Sequence, residues 1–388
     1  MSTMTINPMG GKTMAYEDAY TDCRWMEFDI LERFMKDVLV ASGVPQNDAA
    51  IISDVLITSD KRGIDSHGIG RLKPIYIDRI DAGILNPVTK ISLVRDRKTS
   101  AVLDGNNGMG HVIAKNAMER AIGKAKVHGM GMVAVRNSSH YGIAGYYTMM
   151  AAGAGMIGIT GTNARPSIAP TFGVENMLGT NPLTVGFPTD EAFPFILDCA
   201  TSVAQRGKIE VYGSAKKQLP EGWVIGLDGK TRTDTAQVLE DLTKGRAALT
   251  PLGGIGEDTG GYKGYGYATI VEVLCAALQG GGFLKQLNGM DSAGNKVPIL
   301  LGHFFIAIDI EEFTELASFK TIAGNIMRQL RASQKAPGQD QIFTAGEKEW
   351  IAWQYRKTHG CPIPKPLQAQ MIELKDRFNV NCSFDFEP

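Results

Sequence analysis

The chain has 388 residues, 44% of them hydrophobic and 21% charged, and its 40 basic and 41 acidic side chains leave a formal net charge of −1. At roughly 100–200 residues per domain, this length implies two or three domains with a sizeable core. No run approaches the ~18 uninterrupted apolar residues of a membrane helix and no basic block offers a footprint for nucleic acid, so neither partner is expected and a small-molecule ligand is.

Residues 1–22 lack both the apolar stretch of a secretory signal and the Arg-rich, acid-free pattern of a transit peptide; they read as a mobile extension. Residues 26–42 place Phe28, Leu31, Phe34, Met35, Val38 and Leu39 at helical spacing, with Gly43 as the stop. A second helix follows Asn47 and Asp48 through Ile51, Ile52, Val55 and Leu56 to about Lys61, before RGIDSHG. A third apolar-periodic run covers 68–82, and Pro74 must kink it or lie in its first turn, because proline has no backbone donor. From residue 100 the pattern alternates: AVLD as strand, 110–128 as helix, MVAVRNS as strand, 143–152 as helix, MIGITGTN as strand. NPLTVGFP, FPFILDCA and HFFIAIDI are further strands, 267–278 is a helix, and the tail after Phe313 is helical again, including 367–378. The fold class is therefore α/β: a centre over 99–311 flanked by helical segments, 23–98 and 312–388, that would pack as one discontinuous domain.

Gly153, Gly155 and Gly158 match G-x-G-x-x-G. A dinucleotide fingerprint needs strand, glycines, then a helix aimed at the phosphates. Here a helix precedes the glycines and a strand follows, so Gly153 and Gly155 read as a helix cap and turn with positive φ, and Gly158 as a small residue in a buried strand. Cys23, Cys199, Cys275, Cys361 and Cys382 are odd in number and outside any CxxC pair. Reduced cytoplasmic thiols are expected, with no disulfide framework and no metal.

Three histidines stand in unusual company. His67 follows Ser66, with Arg71 four residues on; an imidazole beside a guanidinium suits a proton donor next to a carboxylate anchor, although Ser66 or Asp65 could simply cap a helix. His140 falls at a predicted strand end before a helix, where ligands of α/β sheets gather. His303 opens an apolar strand and reads as structural. Glycine-rich stretches at GTNP (179–182), DCATS followed by QRGK (198–208), and PLGG followed by GGYKGYG (251–266) read as loops whose backbone amides can approach a ligand, with Lys208 and Lys263 adding charge.

DSHG with Arg71, NSSHYGIAGYY, GTNP, DCATS with GK, and PLGG before YKGYGYATIVEVL resemble, in that order, the type 2 malate/L-lactate dehydrogenase family, which includes sulfolactate and ureidoglycolate dehydrogenases, diketogulonate reductase and Δ1-piperideine-2-carboxylate reductases. The resemblance spans about residues 25–385. It implies NAD or NADP as cofactor, a non-Rossmann NAD(P)-binding fold of the malate/sulfolactate dehydrogenase type, and a homodimer. It implies that His67, Ser66 and His140 serve catalysis and that Arg71, Thr180 and Lys208 meet the substrate. Asn163, Asn181, Asp198, Cys199, Ala200, Tyr262, Lys263 and Gly264 would surround the cofactor. Lys208 stands where the imino-acid reductases have aspartate, which favours the hydroxy-acid branch. The expected reaction is hydride transfer between nicotinamide and C2 of a 2-hydroxy/2-oxo acid, foremost malate/oxaloacetate. Arg71 would clamp the C1 carboxylate, His67 would carry the proton, His140 would orient as a neutral donor, and Lys208 or Arg165 would meet a second anionic group. The rivals are a cyclic imino-acid reductase, a non-catalytic binder, and a serine hydrolase built on Ser66 or Ser139, against which stands the lack of a G-x-S-x-G elbow.

Overall fold

In this computed structural model the described residues are 5–6, 14–15, 20 and 22–387, so the extension expected over 1–22 lies for the most part outside them. The chain divides into two units, one running to Gly83 and resuming at Glu347, the other Ile84–Gly346.

In the first unit, the apolar stripe read from sequence becomes the helix Phe28–Ala41, burying Leu31, Phe34, Met35, Val38 and Leu39. It packs on Gln46–Lys61, which buries Ile52, Val55 and Leu56. The third run is not one helix. It is a 3-10 turn, Ile69–Arg71, a wider π-type stretch, Leu72–Ile77, and a single α turn, Asp78–Asp81. Pro74 sits inside the π-type stretch, where its missing N–H breaks the regular ladder. The helix Glu347–His359 falls in the tail read as helical, whereas two elements carry no sequence signal: the strand Cys23–Met26 and its antiparallel partner Cys361–Pro364. Both are short or weakly patterned, and the strand pair joins segments more than 330 residues apart in sequence only through the fold.

The second unit is built on a seven-stranded mixed sheet: β1 (Ser92–Asp96), β2 (Ser100–Asp104), β3 (Met130–Ser138), β4 (Met156–Thr162), β5 (Leu183–Phe187), β6 (Phe195–Cys199) and β7 (Leu301–Asp309), in the order β1-β2-β3-β7-β4-β5-β6. Only β2 and β3 run parallel, joined by the helix Gly110–His128; every other neighbouring pair is antiparallel. The helices Gly110–His128 and Gly145–Gly153 cover one face, meeting Phe305 and Ala307 of β7. The helix Gly261–Ala276 covers the other, where Val271 and Cys275 meet Phe304. Alternation along β7 thus feeds two cores. The helix Leu316–Ala332, sequence-adjacent to the tail, groups with this sheet: Phe319 packs edge-on to Phe187 at 5.9 Å, and Arg328 pairs with Asp190 at 3.0 Å. Among the described residues no helix is long and apolar enough to cross a membrane.

The order around G-x-G-x-x-G is helix (Gly145–Gly153), turn, strand (β4). Gly155 has φ +77, as the turn requires, whereas Gly153 is the last helical residue and has no positive φ. Gly158 is buried in β4 against the preceding helix. The motif serves packing.

Candidate functional site

In the first unit, the helix Gln46–Lys61 ends at Arg62, and Gly63 (φ +74) reverses the chain. Ser59 Oγ donates to the Ile64 carbonyl at 2.7 Å and the His67 N–H to the same oxygen at 2.9 Å, closing a tight turn. At its tip Ser66 Oγ lies 2.8 Å from His67 Nδ1, so the two neighbours do face each other. Arg71 is half-buried; its Nε donates to the Ser66 carbonyl, and its terminal nitrogens have no hydrogen-bond partner among the described residues. Burial, and then the Arg71 guanidinium, lower the half-buried His67 imidazole to about 4, so it is neutral near pH 7. Asp65, offered by the sequence as a helix cap, is held instead by Arg356 and Tyr20. This arrangement can receive a carboxylate on the open guanidinium edge and exchange a proton at the adjacent ring.

In the second unit, β3 ends at Ser138 and the helix Gly145–Gly153 follows, placing His140 at the strand's end as the sequence predicts. The Gly142 N–H donates to His140 Nδ1 at 3.3 Å. Ser139, beside it, is buried and spent: Oγ accepts from the Gly110 N–H and donates to the Gly108 carbonyl. Asp198 Oδ2 accepts the Gly145 N–H at 2.6 Å and Oδ1 the Thr184 hydroxyl at 3.0 Å, so this carboxylate caps the helix that follows His140. Asn163 and Asn181 are fully buried. Asn163 joins the Gly282 carbonyl to the Gly302 N–H; Asn181 joins Glu272 and the Ala268 carbonyl to the Ala164 N–H. Thr180, Cys199 and Ala200 are half-buried; burial, then the Asp198 charge, raise the Cys199 thiol. Lys208 is exposed, its ammonium 4.9 Å from the Trp223 ring centre, and Arg165 is exposed too.

The 260–266 stretch is a correction. It reads as a loop but forms the first turns of Gly261–Ala276. Gly264 is buried so closely on the loop before it that a Cβ would stand 2.4 Å from Leu252 N. The glycines therefore serve backbone-to-backbone packing rather than flexibility. Tyr262 and Lys263 remain exposed at this helix start, which has no side-chain cap. A cavity of about 180 Å³ lies beside the 251–254 loop, lined by Pro170, Phe172, Thr250, Gly254 and Gly256. His303 is buried, stacked on Tyr141 at 4.5 Å and 2.8 Å from Thr162 Oγ1, and burial lowers it to about 3. Sequence reasoning missed Asp60, whose partner Ile69 lies nine residues on, across an irregular turn that no helical or strand spacing describes, and Arg356 and Glu272, whose partners Asp65 and Asn181 lie too far along the chain for spacing to reveal.

The chain that carries these groups is an NAD(P)-dependent oxidoreductase of the malate/lactate dehydrogenase type. It belongs to the malate/L-lactate dehydrogenase family, whose model matches residues 26–372. It is 41% identical to a malate dehydrogenase of Pyrococcus horikoshii over 94% of this chain and 99% of that one. It is 39% identical to an L-sulfolactate dehydrogenase of Methanocaldococcus jannaschii, over 90% and 96%. The crystal structure of malate dehydrogenase from Entamoeba histolytica superposes with a TM-score of 0.89 at 45% identity, covering 93% of this chain and 100% of that one. The serine-hydrolase alternative has no support here. Ser139 is buried and spent, and the carboxylate next to Ser66 and His67, Asp65, is committed to Arg356 rather than to the imidazole.

Proposed function

We propose that the chain interconverts malate and oxaloacetate, with Arg71 holding the C1 carboxylate and His67 moving the proton of the C2 hydroxyl. The observation that carries this reading is the state of Arg71: its inner nitrogen is tied to the Ser66 carbonyl while its terminal nitrogens bond none of the described residues, beside an imidazole kept neutral and braced by Ser66. A neutral ring can take the hydroxyl proton as the acid is oxidised, and bound carboxylate, by offsetting the Arg71 charge, makes the imidazolium easier to form. The relatives named for malate support the substrate.

NAD or NADP would sit in the second unit near the start of Gly261–Ala276, where the exposed Lys263 suits a pyrophosphate, with Tyr262 alongside. Bound there, the nicotinamide would supply the hydride acceptor for oxidation at C2 and the hydride donor for reduction. Asn163 and Asn181 would then hold the shape of the surrounding backbone, because their side chains are already spent. Asp198, Cys199 and Ala200 would flank the cofactor, Thr180 and Lys208 the substrate's second anionic group, and His140 would orient the substrate.

The homodimer is part of this reading. Tyr267, Ile270, Val273, Leu278 and Phe283 are each about half exposed along and just after one helix, next to an apolar cavity of about 490 Å³. Single exposed apolar residues are ordinary, but several along one helix and just after it support an interface with a second copy. A cytoplasmic location accords with five cysteines free of disulfides.

The test follows the near-ultraviolet absorbance of NADH and NADPH with oxaloacetate, sulfopyruvate, pyruvate and a cyclic imino acid. Preference for oxaloacetate is expected; preference for the imino acid would overturn the assignment.

A further inference from the structure

The turn that carries Ser66, His67 and Arg71 rests on a buried acid. We propose that Asp60 is a positioning residue for these three groups, its carboxyl setting the path from Gly68 to Arg71 and so the aim of the imidazole and the guanidinium. The proposal rests on the reading of His67 and Arg71 given above.

Asp60 lies in the last turn of Gln46–Lys61 and is 2% exposed. Its Oδ2 accepts the Ile69 N–H at 2.8 Å. A Cβ on Gly68 would stand 1.7 Å from its Oδ1, so the carboxyl occupies the space that any side chain at 68 would need. The other shoulder of the turn is pinned from the far end of the chain. Arg356, fully buried, donates to the Asp60 carbonyl at 2.6 Å and grips both oxygens of Asp65, while Tyr20 donates to Asp65 at 3.0 Å. The ligand atoms of Asp60, Asp65 and Cys361 lie within 4.8 Å of one another, a grouping that could suit a cation. Arg356 already supplies the positive charge there, which makes the cluster a clasp. A fold that needed only a filled space would place an apolar residue at 60, because burying an acid costs free energy unless its hydrogen bonds repay it. The bond to Ile69 is that return, and it lies two residues before Arg71.

An amide of the same shape can accept from Ile69, so Asp60→Asn should behave almost as wild type and Asp60→Ala should not. In Asp60→Ala, kcat/KM for the oxo acid should fall about a hundredfold, the effect of misplacing reacting groups by about an ångström. KM should rise and kcat fall, while the dissociation constant for NADH stays unchanged. A second readout needs no substrate: the ring resonances of His67, assigned with His67→Gln. They should stay in the neutral position through near-neutral pH in wild type and Asp60→Asn, and begin to titrate near the ordinary value, about 6.5, in Asp60→Ala. Should the alanine variant fail to fold, Asp60→Ser replaces it, because the hydroxyl is too short to reach Ile69. A variant with a lowered Tm but wild-type kcat/KM and wild-type His67 resonances would overturn the proposal. If no acid is turned over by wild type, the substrate reading fails while the ring resonances still decide on Asp60.

Discussion

A methyl group on Gly158 would stand 2.7 Å from the Cβ of Ala151, closer than side-chain carbons approach. The same added atom would lie 3.0 Å from the Thr148 Cα, so the crowding involves helix backbone as well. Strand β4 and the helix before it are therefore in contact through the absence of a side chain. Gly158→Ala should cost ~1–3 kcal/mol of stability by overpacking. Thermal unfolding and NADH titration check this: Tm should drop while the NADH dissociation constant stays put. The reverse pattern would return the motif to a phosphate-binding role.

Arg71→Lys keeps the charge and loses the planar fork. With Nε tied to the Ser66 carbonyl, only a guanidinium can hold that bond and still offer an edge to a carboxylate. We expect kcat/KM to fall thirty- to a hundredfold, about 2–3 kcal/mol, with cofactor binding hardly changed. Steady-state kinetics with oxaloacetate, alongside NADH fluorescence, measure both.

His67→Asn should reduce turnover by ~10²–10⁴-fold and remove one limb of the pH–rate profile, whereas His140→Asn should lower the rate and leave that limb in place. Because the His67 pKa is lowered to about 4 in the free protein, the limb for oxidation should lie well below the ordinary imidazole range. The ring must be neutral to take a proton, so kcat/KM for malate should hold steady from neutrality down and decline only as pH nears that value. Arg71→Gln removes the second cause of the lowering and should move the limb upward. If His140→Asn alone abolishes the limb, the two roles are exchanged.

His303 gives a prediction about stability rather than rate. Its folded value of about 3 lies below the unfolded value of 6.5, so between these limits the unfolded chain takes up a proton that the folded one refuses. The stabilisation is complete above about 6.5 and is lost as pH falls through that window. Glu272, raised by burial, has the opposite sign but is common to wild type and variant. Tm should therefore fall less steeply between neutrality and about pH 5 in His303→Asn than in wild type, although the variant starts lower because it loses the stack on Tyr141. Parallel Tm profiles would show that another group governs acid sensitivity.

Helix periodicity and turn chemistry are local, and they were legible: Phe28–Ala41, Gln46–Lys61 and Gly110–His128 lie where the apolar spacing puts them, because each needs only one face buried and a stop residue. The order of elements around Gly158 alone was enough to reject a pyrophosphate loop. The family motifs reach further: by resemblance, and without geometry, they put forward His67, Arg71 and His140 as the groups of the proposed site. What spacing could not reveal was every relationship whose partners are distant in sequence. The placement of β7 between β3 and β4, the pairing of Cys23–Met26 with Cys361–Pro364, and the grip of Arg356 on Asp65 each close a loop of well over a hundred residues. Such contacts leave no period in the chain, since their energy comes from what the fold brings together. For the same reason GGYKGYG reads as a flexible loop from its glycines and becomes a helix start only when Leu252 is packed against Gly264. Asn163 and Asn181 likewise look like ligand groups until the structure shows their amides already bonded inside the protein. A side chain's type follows from the sequence; whether its polar atoms are still available is decided only by the tertiary structure.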